Sequence, residues 1–316
     1  MPKLEDYHYF EGRHWETGSV CNYYAYRGVT APHTGRPYSE ALLVGISGGA
    51  VMGYFSFAYQ GYDPHVALLT RNTFDPLNTL LERLGVAQDI RQTSKPEHGV
   101  RNLVDVLDNG LPALVWADVF SLPYNALYTD PGMWLMYPIL VYGYEPDEDQ
   151  VWIADRSCVP LTITAGELAA ARGKVKQDKH RVLTLSAPDP EKLPGAVQKG
   201  LWDCIKLYTE APPKGGRENF GFAAYRRWAD LLVKPKEKQS WERVFPAGRP
   251  MYAGLISTYR SITQFTEAED AERGRFADFL DEAAVILNRP GLGEAGVLFR
   301  EAGSAWGELA HALLLA

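Results

Sequence analysis

The sequence predicts an α+β fold, with a mixed first half and an all-helical second half. Three observations carry this reading. An apolar stretch broken by a polar turn, ILVYGYEPDEDQVWIAD, has the form of a β-hairpin ending at Asp155. Short helical segments capped by glycine lie around it. Beyond residue 195 the chain repeats apolar residues at three- and four-residue spacing, the period of helices with one buried face.

The elements follow in order. Thr17–Arg27 is expected as a helix, capped by Thr17 or Glu16 and stopped by Gly28. Ser39-Glu40 opens an apolar run, ALLVGISGGAVMGYFSFAY, whose glycines imply a tightly turning or closely approached backbone. Helices are expected over Asp75–Gly85 and Val100–Asp108. LPALVWADVF reads as a strand. The hairpin follows, and Leu161–Arg172 reads as a strand end and a capped helix. The Pro-rich, charged stretch 186–195 suits a linker, which sets domains at 1–188 and 189–316. Four helical stretches lie beyond it, around residues 220–233, 251–265, 273–287 and 297–315.

Composition narrows the function. With 316 residues, about two domains are expected. A formal net charge of −7 disfavours nucleic acid as the main partner. The three cysteines, Cys21, Cys158 and Cys204, show neither a disulfide framework nor zinc-ligand spacing, so a reducing, cytoplasmic compartment is expected. The uncharged run from Ala41 to Tyr62 is interrupted by five glycines and reads as buried core rather than a membrane span. Phosphate-loop, dinucleotide and HExxH signatures are absent, and the histidines are scattered, so neither metal nor cofactor is expected.

Gly45-Ile46-Ser47-Gly48-Gly49 fits GxSxG, the strand-turn-helix nucleophile elbow. It precedes any series of strand-helix repeats, and reads better as a glycine turn that contains a serine. A second constellation combines distant segments. A helix starts just after His14, and a hairpin near residue 140 contains Val-Tyr-Gly-Tyr and ends in Ala-Asp-Arg. Papain-like enzymes use this plan: a nucleophilic Cys at a helix N-terminus, a His opening a later strand, and an Asp or Asn orienting the His.

Here the chain resembles the family of butirosin biosynthesis protein H. The resemblance rests on His14-Trp15, Ser39-Glu40-Ala41-Leu42…Gly48-Gly49…Gly53-Tyr54-Phe55, Asp118…Leu122-Pro123-Tyr124, Tyr137…Val141-Tyr142-Gly143-Tyr144 and Ala154-Asp155. The family's helical C-terminal region is matched more loosely by NFGFAAYRRWADLL and RGRFADFLDEAAVIL. The resemblance implies a papain-like acyltransferase domain followed by a helical domain. Family chemistry moves an acyl group from a carrier protein to an amine through a cysteine thioester.

Two positions depart from that pattern. Trp15 stands where the resemblance implies the cysteine, and an indole has no attacking atom. Tyr137 stands where it implies the histidine, and a phenol with an unperturbed pKa of about 10 is a poor base at neutral pH. Asp155 is the retained position. The expectation is therefore a divergent homologue without the Cys/His dyad, a non-catalytic ligand- or partner-binding protein linked to natural-product metabolism. The alternative is an active acyltransferase or hydrolase with a relocated nucleophile at Ser47, Cys21 or Cys158. Cys21 lies six residues past Trp15, about 240° around the helix and ~9 Å along it, which is badly placed for substitution. His14, Glu40, Gly48, Gly49, Tyr54, Asp118 and Tyr124 are the expected ligand-binding positions. A block of aromatics including Tyr23, Tyr54, Tyr59, Trp134 and Tyr142 is expected around the cleft. The expected partner is a small organic molecule or an acyl carrier protein, with self-association also open.

Overall fold

A computed structural model describes residues 3–125, 134–175, 179–264, 266 and 268–315. Along the chain run α1 (Trp15–Tyr26), α2 (Glu40–Ile46), β1 (Ala50–Phe57), β2 (His65–Arg71), α3 (Pro76–Arg83), β3 (Gln88–Arg91), α4 (Pro96–Asp108) and β4 (Ala113–Asp118). Next come β5 (Met136–Glu145), β6 (Gln150–Ala154), β7 (Leu161–Ile163), α5 (Ala165–Gly173) and β8 (Val182–Leu185). The remainder is helical: α6 (Leu193–Thr209), α7 (Gly221–Val233), α8 (Trp241–Val244), α9 (Arg249–Thr263), α10 (Arg273–Ile286) and α11 (Gly291–Leu315). The fold is α+β.

Two compact units interleave along the sequence. The first holds Met1–Glu40 and Leu84–Pro190, and the second holds Ala41–Arg83 and Glu191–Ala316. Residues 41–83 thus pack with the helical part of the chain rather than with their sequence neighbours.

The first unit is built on a six-stranded antiparallel sheet ordered β3-β8-β4-β5-β6-β7. Ile139 to Tyr144 of β5 are buried without a break, the mark of a strand covered on both faces. Helix α1 packs against β5. It shows no helical alternation because ten of its twelve residues are buried, so all sides face protein. Two polar ties fix its position: Ser19 donates to the Pro138 carbonyl at 3.3 Å, and Tyr23 Oη bonds both the N–H and the carbonyl of Leu185.

The expected hairpin is present, with Glu145 opposite Gln150 in the register. The strand expected over 111–120 is shorter, because Val119–Ser121 close into a 3₁₀ turn. Helix α4 begins earlier than expected, with Pro96 in its first turn, where the missing N–H costs nothing. Helix α5 carries a full capping box between Thr164 and Glu167.

In the second unit the β1–β2 hairpin packs on α7 and α9. Met52, Tyr54, Trp228, Trp241, Phe245 and Trp306 lie in its core. The apolar run after Glu40 resolves into α2, a glycine turn and β1, which sequence alone did not separate. Gly48, at φ 114°, ends α2 and lies so close to Asn72 that a Cβ would meet its side-chain nitrogen at 2.0 Å. The stretch expected as a linker gives way to α6 at Leu193, with a proline in its first turn. Phe265, which ends one expected helix, lies outside the described residues. Among the described residues, no helix is long and apolar enough to cross a membrane.

Candidate functional site

The N-terminus of α1, the start of β5 and the end of β6 converge in the first unit. Helix α1 begins at Trp15, two residues before Thr17, because His14 caps it: its Nδ1 accepts from the Glu16 N–H at 3.3 Å. A second cap comes from Glu40, which is buried. Its carboxylate accepts from the Arg13 N–H at 2.7 Å, the His14 N–H at 3.0 Å and the Thr17 hydroxyl at 2.9 Å. A carboxylate held beside a helix N-terminus is favoured by the helix dipole as well as by the bonds themselves.

This capping places Trp15 at the first helical position, buried at 3% exposure. Its ring stacks on Tyr137, the second residue of β5, with centroids 4.3 Å apart and planes within 9°. Such a pair contributes ~0.5–1.5 kcal/mol beyond its buried area. The Arg156 guanidinium lies 4.4 Å from the Trp15 ring centre, a contact whose strength rises to ~2 kcal/mol when water is excluded. Two planar groups therefore cover the indole.

Asp155 follows directly on β6, and its side chain is 1% exposed. Arg156 grips it with two donors, Nε to Oδ1 at 3.0 Å and Nη2 to Oδ2 at 3.2 Å. The Tyr124 hydroxyl donates to Oδ2 at 3.1 Å. Burial, and then the Asp155 charge, push the Tyr124 phenol well above its ordinary value, so it remains a donor. Arg156 also donates to Asn125 Oδ1 at 2.7 Å, which ties the cluster to the Leu122–Asn125 loop. Its backbone is left-handed at φ 33°, an uncommon conformation for a residue with a side chain, and one that gathers at constrained sites.

The remaining expected positions fall elsewhere. Asp118 is fully buried and organises the loop after β4, accepting from the Leu135 N–H at 2.7 Å and the Ser121 hydroxyl at 2.6 Å. Ser47, Gly48, Gly49 and Tyr54 belong to the second unit. Ser47 is buried just past α2 and donates to the Val44 carbonyl at 2.8 Å, a helix-end bond rather than an elbow on a strand. Tyr54 is a core residue, accepting from Trp241 Nε1 at 3.0 Å and stacked on Trp228. The aromatic block is likewise divided: Tyr23 and Tyr142 are core residues of the first unit, and Tyr59 and Trp134 are more than half exposed.

The cysteines are separate from one another. Cys21 is buried and its thiol donates to the Tyr38 carbonyl at 3.3 Å. Cys204 is buried and bonded to the Ala50 carbonyl at 3.1 Å, and burial pushes its thiol up to about 12. Cys158 is half-buried at φ 55°. Among the described residues, no group of three or more His, Cys, Asp or Glu side chains is placed to hold a metal ion.

Residues 14–156 match the family model described as butirosin biosynthesis protein H, N-terminal, over just under half of the chain. The matched stretch is similar to the N-terminal region of that family. No curated protein matches the chain. The matched stretch begins at the helix cap, His14, and ends at the arginine that grips Asp155. It includes the side chains of the cluster just described, Glu40 and Tyr124 among them, while Arg13, whose N–H donates to Glu40, lies just before it.

Sequence reasoning missed Arg156 and Asn125. The Asp-Arg pair was visible at the strand end, but its meaning depends on a left-handed turn that no local pattern announces.

Proposed function

We propose that this chain is a non-catalytic relative of a cysteine-dependent acyltransferase, and that the α1–β5–β6 site holds a ligand or partner instead of transferring an acyl group. The observation that carries the reading is the Trp15–Tyr137 stack, centroids 4.3 Å apart, at the two positions that the papain-like plan assigns to thiol and imidazole. Neither side chain performs those roles: the indole offers no nucleophile, and a phenol is protonated at neutral pH. Asp155, which would orient an imidazole, has both oxygens engaged by Arg156 and Tyr124. Members of a catalytic dyad act as a unit, so replacing both removes the covalent route rather than weakening it.

The family points to the ligand class: a small organic molecule of natural-product metabolism, or the acyl carrier protein that delivers it, in the cytoplasm. Incubation with an acyl-thioester probe followed by intact-mass measurement tests the reading. The expected result is no adduct on the wild-type chain. A stoichiometric adduct on a single residue overturns it and points to a relocated nucleophile. The Trp15→Cys/Tyr137→His double substitution is expected to gain an adduct on the new cysteine.

A further inference from the structure

The second unit contains a groove of about 770 Å³ between α6, α7, α10 and α11, within the ~300–1,000 Å³ span of small-molecule sites. Leu201, Ile205, Phe222, Phe276, Leu298 and Phe299 supply much of its wall. Several of these face solvent: Phe222 is 52%, Leu298 64% and Ile205 49% exposed. Aromatic and aliphatic side chains left open around a concave surface mark a binding site more often than a plain exterior.

The floor is polar and cationic. Arg273, at the first position of α10, is fully buried and lines the groove. Its Nη1 donates to the carbonyls of Thr70 at 3.3 Å and Ala271 at 2.5 Å. Its Nη2 lies within bonding distance of the Val51 carbonyl at 2.8 Å and the hydroxyls of Tyr208 at 2.9 Å and Tyr225 at 3.1 Å. Trp306 lies against the guanidinium at 5.2 Å. Every acceptor is neutral. Among the described residues, no carboxylate oxygen lies within 4.0 Å of Arg273, whereas the neighbouring buried Arg71 has Glu272 at 2.7 Å. An arginine stays charged, and a buried cation without a counter-ion is costly.

The two phenols add a donor. Both accept from Arg273, and they are hydrogen-bonded to each other. That mutual bond uses one of the two O–H groups. The other has no acceptor among the described residues, and both tyrosines line the groove beside Arg273.

We infer that this groove binds an amphipathic carboxylate, a fatty-acid-like molecule. Its tail lies along the apolar walls, and its head accepts from the Tyr225 hydroxyl in the field of Arg273. An anionic head supplies the charge that the fold leaves out, and an apolar chain covers the open walls. The inference concerns the second unit and does not rest on the proposal for the α1–β5–β6 site.

Titration calorimetry of the full chain with lauric acid and with 1-dodecanol, both below their aggregation limits, tests it. Saturable binding of lauric acid is expected, at least tenfold tighter than dodecanol. Tyr225→Phe is expected to weaken lauric acid about tenfold and leave dodecanol unchanged, since it removes one bond to a charged group. Ala302→Trp, an exposed position on the groove wall, is expected to abolish binding of both while circular dichroism stays native. Absence of saturable acid binding by the native chain overturns the inference, as does equal affinity for acid and alcohol. A dimer that Ala302→Trp dissociates, with no acid binding, assigns the groove to a second copy and also overturns it.

Discussion

Arg156 folds back onto its own chain neighbour, placing Nε and Nη2 at 3.0 and 3.2 Å from the two oxygens of Asp155. A bidentate pair between consecutive residues needs a sharp turn, which φ 33° provides. The pair is thoroughly buried on the acidic side and 17% exposed on the basic side. Arg156→Met should therefore cost about 3 kcal/mol, because Asp155 keeps its charge and loses its cation. Asp155→Asn/Arg156→Met should cost clearly less than the sum of the single changes. Urea denaturation of the four proteins checks the coupling, and additive losses would show that the pair is not a functional unit.

Glu40 accepts three hydrogen bonds at the start of α1. Glu40→Gln removes the charge and turns an amide NH₂ toward donors. About 2 kcal/mol of stability should be lost, with a fall in Tm of roughly 5 °C. Scanning calorimetry measures it directly.

Gly200 on α6 sits where a Cβ would come within 2.1 Å of the Gly45 carbonyl oxygen, a backbone atom that cannot rotate away. Gly200→Ala should destabilise the second unit by about 2–3 kcal/mol. Gly195, on the same helix, has open space around it, and Gly195→Ala should be neutral or stabilising by up to ~1 kcal/mol. Comparing the two denaturation midpoints separates crowding from helix propensity.

His180 is held below its ordinary pKa, first by burial and then by Arg172, with Glu97 opposing. The unfolded chain takes up a proton near pH 6.5 that the folded chain accepts only at lower pH. Stability from this residue is therefore present above about pH 6.5 and is lost as pH falls through the folded value. His180→Gln should reduce the drop in denaturation midpoint between pH 7.5 and 5.5. An unchanged drop would assign it to other groups.

Iodoacetamide at pH 8 should modify Cys158 first. Cys21 and Cys204 are 8% and 5% exposed and should react only on unfolding, Cys204 also because its thiol is pushed up to about 12. Peptide mapping gives the order. Early labelling of Cys21 would revive it as a nucleophile.

Legibility followed locality. The hairpin and α1 could be read because turn residues, a glycine stop and apolar runs lie within a few positions of one another. The meeting of Trp15 with Tyr137 was legible only through the family plan, since it joins positions 122 apart. The cap falls at His14 rather than at Thr17 or Glu16 because Glu40, from a distant segment, helps fix where the helix starts. Helix α2 was hidden in an apolar run that suits helix and strand alike, and α6 behind prolines that also suit a linker. The affiliation of residues 41–83 with the helical unit leaves no local trace, because packing partners far along the chain, in residues 191–316, decide it.

The strand order carries a consequence for synthesis. β8, the last strand of the first unit to be made, pairs with both β3 and β4. Until Val182–Leu185 leaves the ribosome, β3 has no neighbour in the sheet and β4 presents a bare edge. By then the chain has also emitted residues 41–83, whose helical partners are still untranslated. The nascent protein must hold two unfinished surfaces at once, which makes the interval before residue 182 its period of greatest exposure to edge-to-edge association.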